Sequence, residues 1–276
     1  MSMNNNIKAK SPARRGAWHR RICVATFLAA SIITAPAWAH KTFLASERQV
    51  WEEGDIVKVA LTSALEFPNI EFGPARDRLS FTSVVVGQSN ISDLVFEETE
   101  TALNLSFRAD TSGFAVVAMS THPRSGEIEP DSVAGYFDEI DADTDVRAAF
   151  ELLPGNPALM RSYSKHTKIF LCLENCEDGR GEATEPVGQA LEFVAVASDP
   201  RSFVVVRDGE RAAAQRVAIH TEDGSHSSAI ADANGVFRLE PSISGAVLLS
   251  AIWITVPDQP AGVYHSDQAT LSIRLP

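Results

Sequence analysis

The chain has 276 residues, 45% of them hydrophobic and 22% charged, with 16 Gly and 14 Pro. That composition excludes a disordered or collagen-like chain, and the length is enough for one or two packed cores. The net charge of −12 is unevenly placed, because residues 1–39 carry six basic side chains and no acidic one. The remainder holds 18 basic against 36 acidic residues, a charge of −18. This disfavours nucleic-acid or anionic-lipid partners and suits cations.

Residues 1–21 are polar and basic, and residues 22–35 form an apolar run too short to span a bilayer comfortably. Pro36 breaks the run, and Ala37-Trp38-Ala39 supplies a small-x-small cleavage pattern before His40. The expectation is a cleaved export signal over 1–39 and a periplasmic mature protein that does not insert into the membrane. The arginine pairs at 14–15 and 20–21 leave twin-arginine export open beside general secretion. Cleavage gives His40 a free α-amino group beside its imidazole, two nitrogens that can chelate one metal ion.

The mature chain then reads as short strands between turn signals. Residues 50–63 contain a Gly54-Asp55 turn, followed by alternation through Val57, Val59 and Leu61. Strands follow over 79–87, 92–98 and 102–109, and 113–122 is a continuous apolar run of a more buried kind. This spacing predicts an antiparallel sandwich. Residues 127–155 differ: they are acidic, and Val133, Phe137 and Ile140 fall at helical spacing. Glu139, Asp141, Asp143 and Asp145 alternate but lack the glycine and the terminal glutamate of a calcium loop, so they read as solvated acidic positions. Residues 158–173 form a strand entered through basic residues. Cys172 and Cys176 lie where it runs into a turn, and an oxidising compartment predicts a disulfide there.

A boundary near Gly188 opens a second β-rich stretch, with a turn at Ser198-Asp199-Pro200. Strands are expected over 202–210, 212–225, 229–241, 245–255 and 269–276, and Asn234-Gly235 is the signature of a tight hairpin. The predicted fold is therefore all-β: two tandem sandwich domains over 40–195 and 196–276, the first with a partly helical acidic insertion at 127–155.

Several of these stretches resemble the DUF4198 family of secreted bacterial proteins. They are His40-Lys-Thr-Phe-Leu44, Gly54-Asp55-x-Val57-x-Val59-x-Leu61 followed by Phe67-Pro68, and Ser164-Lys165-His166-Thr167-Lys168. Gly188-Gln-Ala-Leu191-Glu192-Phe-Val194 followed by Asp199-Pro200, and Ala269-Thr270-Leu271-Ser-Ile273, complete the set. The resemblance spans most of 40–276. It implies immunoglobulin- or prealbumin-like sandwiches and a periplasmic role linked to nickel or cobalt uptake, with a membrane transporter as partner. The family often carries a histidine in its penultimate strand; here an aromatic, Trp253, stands in that region.

The candidate metal ligands are His40, His166 and His122. Imidazole and amine nitrogens suit Ni(II), Cu(II) or Zn(II), and the flanking Lys165 and Lys168 work against a cation at His166. His122 precedes Pro123 at a strand end, His220 reads as a solvent-facing strand residue, and His226 falls in a turn. Neither a nucleophile elbow nor a phosphate loop is present, so no enzyme is expected. Two other readings stand beside metal handling: a non-catalytic envelope interaction module, and a copper enzyme built on an N-terminal histidine brace.

Overall fold

The computed structural model describes residues 40–176, 181–259 and 261–276, so the expected export signal at 1–39 lies outside the described residues. Among the described residues the strands, numbered in chain order, form three sheets. The first is antiparallel, in the order β1 (Lys41–Ala45), β3 (Ile56–Ala64), β7 (Leu103–Arg108), β6 (Val95–Glu98). Its alternation is regular: Leu103, Leu105 and Phe107 are buried while Asn104, Ser106 and Arg108 are not.

The second sheet has ten strands. Its path runs β15 (His226–Ile230), β14 (Arg216–Thr221), β17 (Gly245–Thr255), β18 (Tyr264–Leu275), β10 (Leu159–Leu173), β8 (Gly113–Thr121), β4 (Leu79–Val86), β5 (Ser89–Asn90). Two further strands, β2 (Val50–Trp51) and β9 (Arg124–Ile128), also pair with β10. β10 and β18 run parallel, with Arg161 opposite Tyr264 and Ile169 opposite Ser272. The third sheet holds β11 (Leu191–Val196), β12 (Asp199–Arg207), β13 (Glu210–Arg211) and β16 (Val236–Arg238).

Side-chain alternation shows how the layers stack. Ala115, Val117, Ile169 and Leu171 join a core with Leu44, Val57 and Leu105 of the first sheet. Their neighbours Val116 and Phe170 join a different core with Phe193 and Phe203 of the third sheet. Successive residues of β8 and β10 thus enter opposite cores, so the ten-stranded sheet is sandwiched on both faces. That explains the unbroken apolar runs, because a strand covered on both sides has no polar face to alternate with. The boundary expected at 195/196 falls at the end of β11, and the ten-stranded sheet takes strands from both sides of it.

The acidic stretch contains two short helices, α1 (Val133–Glu139) and α2 (Thr144–Glu151). Val133, Phe137 and Ile140 are buried, as their spacing predicts, against Leu159 and Tyr264. Cys172 and Cys176 form a disulfide. Two local expectations are corrected. The Ser198-Asp199-Pro200 turn sits earlier, since Asp199 already begins β12. Asn234-Gly235 does form a turn, with Asp232 Oδ1 accepting the amides of Asn234 and Val236. It does not close a hairpin, because β15 pairs with β14 while β16 pairs with β12, and the turn carries the chain from one sheet to another.

Candidate functional site

β10 carries chemistry on both sides, because consecutive residues of a strand point to opposite faces. Lys165 faces the first sheet and donates from Nζ to the carbonyl of His40 at 3.1 Å. This places His40 at the wall of a cavity of about 260 Å³. The floor comes from β17, β18 and β14 through Ser250, Gln268 and His220, and the rim from Lys41 and from Glu139 to Asp143 at the C-terminal end of α1 and just beyond it. The His40 ring meets Phe72 edge-on, with centroids 5.3 Å apart.

The charges around this cavity are mixed. Burial, then Arg161, pushes the Lys165 ammonium down to about 8, with Glu139 opposing. Desolvation raises the Glu139 carboxyl, while Arg161, His40, Lys165 and Lys41 pull it back. Burial first, with Lys41 and His226 adding, pushes His220 down to about 4, which leaves its imidazole neutral at neutral pH. Asp141 is paired with Arg216 at 2.9 Å.

His166 points to the other face of the sheet and is buried. Its Nδ1 lies 2.9 Å from Ser120 Oγ and its Nε2 2.9 Å from Asp267 Oδ1. Asp267 also faces His265 Nε2 at 3.4 Å, and His265 Nδ1 lies 2.6 Å from Ser162 Oγ. Two serine–histidine arms therefore converge on one carboxylate. Burial pushes Asp267 up, but hydrogen bonding and charge from His166, then His265, outweigh it and hold the carboxyl below its ordinary range. Gln189 Nε2 donates to Ser120 Oγ at 3.1 Å and to the Met119 carbonyl at 2.9 Å. The result is a polar network closed by its own hydrogen bonds, of the kind that fixes how two layers meet.

His122 is exposed just after β8, and its backbone is tied to Arg78. The three expected ligands are therefore not brought to one point. His40 and His166 are served by opposite faces of the ten-stranded sheet, and His122 stands in a connection. His166 also departs from the surface environment its flanking lysines suggest, because Lys168 is itself buried. Among the described residues, no group of three or more His, Cys, Asp or Glu side chains is gathered in the manner of a metal centre.

Sequence reasoning missed Asp267 and His265, which reach His166 only through the parallel pairing of β10 with β18. It also misplaced His220 and His226. His220 is half-buried at the cavity, and His226 is the first residue of β15 rather than part of a turn. Their rings are 5.0 Å apart, with Nδ1 facing Nδ1 at 2.9 Å. The signal was present, since a hairpin centred on Asp223 sets residues 220 and 226 opposite each other.

Comparison with known proteins gives one match of family rank. The family model described as "Domain of unknown function (DUF4198)" matches residues 37–255. No curated protein matches the chain. Among solved structures, the D0-D1 domain of intimin is similar at 12% identity over 84% of this chain and 98% of that one, with a TM-score of 0.21. A DUF4785 family protein from Legionella pneumophila is similar at 11% identity over 75% of this chain and 50% of that one, TM-score 0.22. The adhesin InvE of Yersinia pseudotuberculosis is similar at 11% identity over 84% and 58%, TM-score 0.20. Superpositions this loose carry no argument, and the fold is read from the chain's own sheets. Among the described residues, no helix is long and apolar enough to cross a membrane.

Proposed function

The chain belongs to the DUF4198 family, and from that premise we propose that it is a non-catalytic periplasmic protein that binds a divalent transition cation as cargo. Nickel or cobalt is the first choice and a membrane transporter the recipient. The observation that supports this reading is the position of His40. It is the first residue after the expected cleavage point, and its carbonyl is held by Lys165 at the wall of the cavity. A free α-amino group and the imidazole of the same residue offer a cation two nitrogen donors at once. Nitrogen donors of this kind suit Ni(II), Cu(II) and Zn(II), and Co(II) less strongly.

The test is calorimetric titration of Ni(II), Co(II), Cu(II) and Zn(II) into mature protein whose N-terminus at His40 is confirmed by mass. The comparison is the same protein with Gly-Ser-Gly-Ser added before His40, long enough to keep the histidine out of the third position that itself chelates Cu(II) and Ni(II). Near-stoichiometric binding that weakens at least about tenfold in the extended protein is expected. Equal affinity in both would remove His40 from the site. One observation favours a second reading, an envelope interaction module: Leu65, Ile70 and Phe72 are exposed on the connection beside His40. Mature protein without cation affinity would leave that reading as the better one.

A further inference from the structure

The hairpin of β14 and β15 carries a pair of histidines that the reading above does not use. Its turn is fixed locally: Gly224 adopts φ +82°, and Asp223 Oδ1 accepts the Ser225 amide at 3.0 Å. The Thr221 amide donates to the Ser225 carbonyl at 3.1 Å, so 221 and 225 form a hydrogen-bonded couple. Antiparallel couples alternate, which makes His220 and His226 a non-hydrogen-bonded couple. Side chains stand closest at such positions, with Cα atoms about 4.5 Å apart. The backbone register thus forces two imidazoles together on one side of an edge hairpin.

The spacing of the two nitrogens suits more than a mutual hydrogen bond. Imidazole nitrogens bind transition cations at about 2.0–2.1 Å. Two such ligands at right angles on one ion lie about 2.9 Å apart, from that bond length and simple geometry. The observed Nδ1···Nδ1 separation is 2.9 Å. We propose that His220 and His226 form a bidentate site for a borderline divalent cation, Cu(II), Ni(II) or Zn(II), bound through both Nδ1 atoms. A modest turn of each ring re-aims the lone pairs from each other to a common point outside the line joining them. The hydrogen that bridges the nitrogens passes by way of solvent to Nε2 of the ring that carried it, so both imidazoles remain neutral and both Nδ1 lone pairs face the cation.

The site is open. His226 is exposed and gives access from solvent, while His220 stands at the cavity floor. Two protein ligands leave the remaining coordination positions to water, which suits a cation that must be passed on. The site uses no atom of His40, so it stands or falls separately from the N-terminal chelate.

The experiment uses the full mature chain with Gly-Ser-Gly-Ser before His40, which parts the α-amino group from the His40 imidazole without setting a histidine at the third position, where Cu(II) and Ni(II) would find a new chelate. Cu(II) and Zn(II) are titrated by calorimetry, and the Cu(II) form is examined by electron paramagnetic resonance for nitrogen couplings. The comparison is His226→Ala, chosen because the side chain is exposed, with folding checked by circular dichroism. One equivalent of cation, couplings from two imidazoles, and at least about a tenfold loss of affinity in His226→Ala are expected. The melting temperature should rise with Zn(II) in the parent and not in the variant. Unchanged affinity in His226→Ala, or a Cu(II) spectrum without a pair of imidazoles, overturns the proposal. Binding by the unextended protein alone supports the His40 chelate and overturns this site; binding that is indifferent to the extension but lost in His226→Ala does the reverse.

Discussion

Two lysines three residues apart on β10 show how differently one strand treats the same charge. Lys168 is buried against the third sheet and paired with Glu192, whose carboxylate also takes the amides of Val187, Gly188 and Gln189. Lys165 faces the other way, and its hydrogen bond goes to the His40 carbonyl rather than to a carboxylate. Burial and Arg161 depress it to about 8. A depressed lysine binds fewer protons in the fold than in the unfolded chain between about pH 8 and 10.5, so its contribution to stability rises with pH through that window. At neutral pH it is a penalty. Lys165→Met is therefore expected to raise stability at pH 7 by about 1–2 kcal/mol in urea unfolding, and the gain should shrink toward pH 10.5. The sequence Ser-Lys-His-Thr-Lys shows that residues 165 and 168 fall on opposite faces, because alternation alone decides that. It does not show that both faces are covered, which is why the burial of His166 was not legible.

At the scale of elements, strand positions were legible and strand partners were not. The apolar runs, the Gly54-Asp55 turn and the helical spacing of Val133, Phe137 and Ile140 each rest on local chemistry, and each appears in the structure. Asn234-Gly235 marks the limit: the turn is local, but the sheet that receives the next strand is chosen by packing. Gly235 has φ +70°, and a Cβ there would meet the Ala212 amide and the Val205 carbonyl, each at 3.1 Å. Gly235→Ala should therefore cost about 1–2 kcal/mol, read as a lower urea midpoint, since both backbone strain and close backbone atoms oppose it. The same limit hid the Asp267 cluster, because parallel partners distant in sequence leave no periodic trace. The His220–His226 couple was within reach, since its turn is short and its register follows from the turn's centre.

For the whole molecule, composition and patterning led to an all-β sandwich architecture, and the structure has one. The tandem division is where distant pairing intervenes: the strands of both halves meet in one sheet, with β18 between β17 and β10. A fragment of residues 189–276 would keep β17 and β18 but expose the edge of β18 that β10 covers, together with the apolar side chains behind it. Such a fragment is expected to be unfolded or aggregated by circular dichroism and gel filtration. The intact chain should melt in a single transition, with matching calorimetric and van't Hoff enthalpies.

The position of β18 also sets a timetable. It is the last strand among the described residues, yet it occupies an interior place in the largest sheet, and Thr270 within it donates to the carbonyl of Thr42 near the other end of the described chain. A nascent chain emerges N-terminus first, at about 5–20 residues per second. Until residues 264–275 are free, the sheet lacks a rung at its middle and the stretch of β10 from Arg161 to Ile169 lacks its parallel neighbour. Native closure of the largest sheet therefore waits until residues 264–275 have been synthesised, long after β1 to β10 are available.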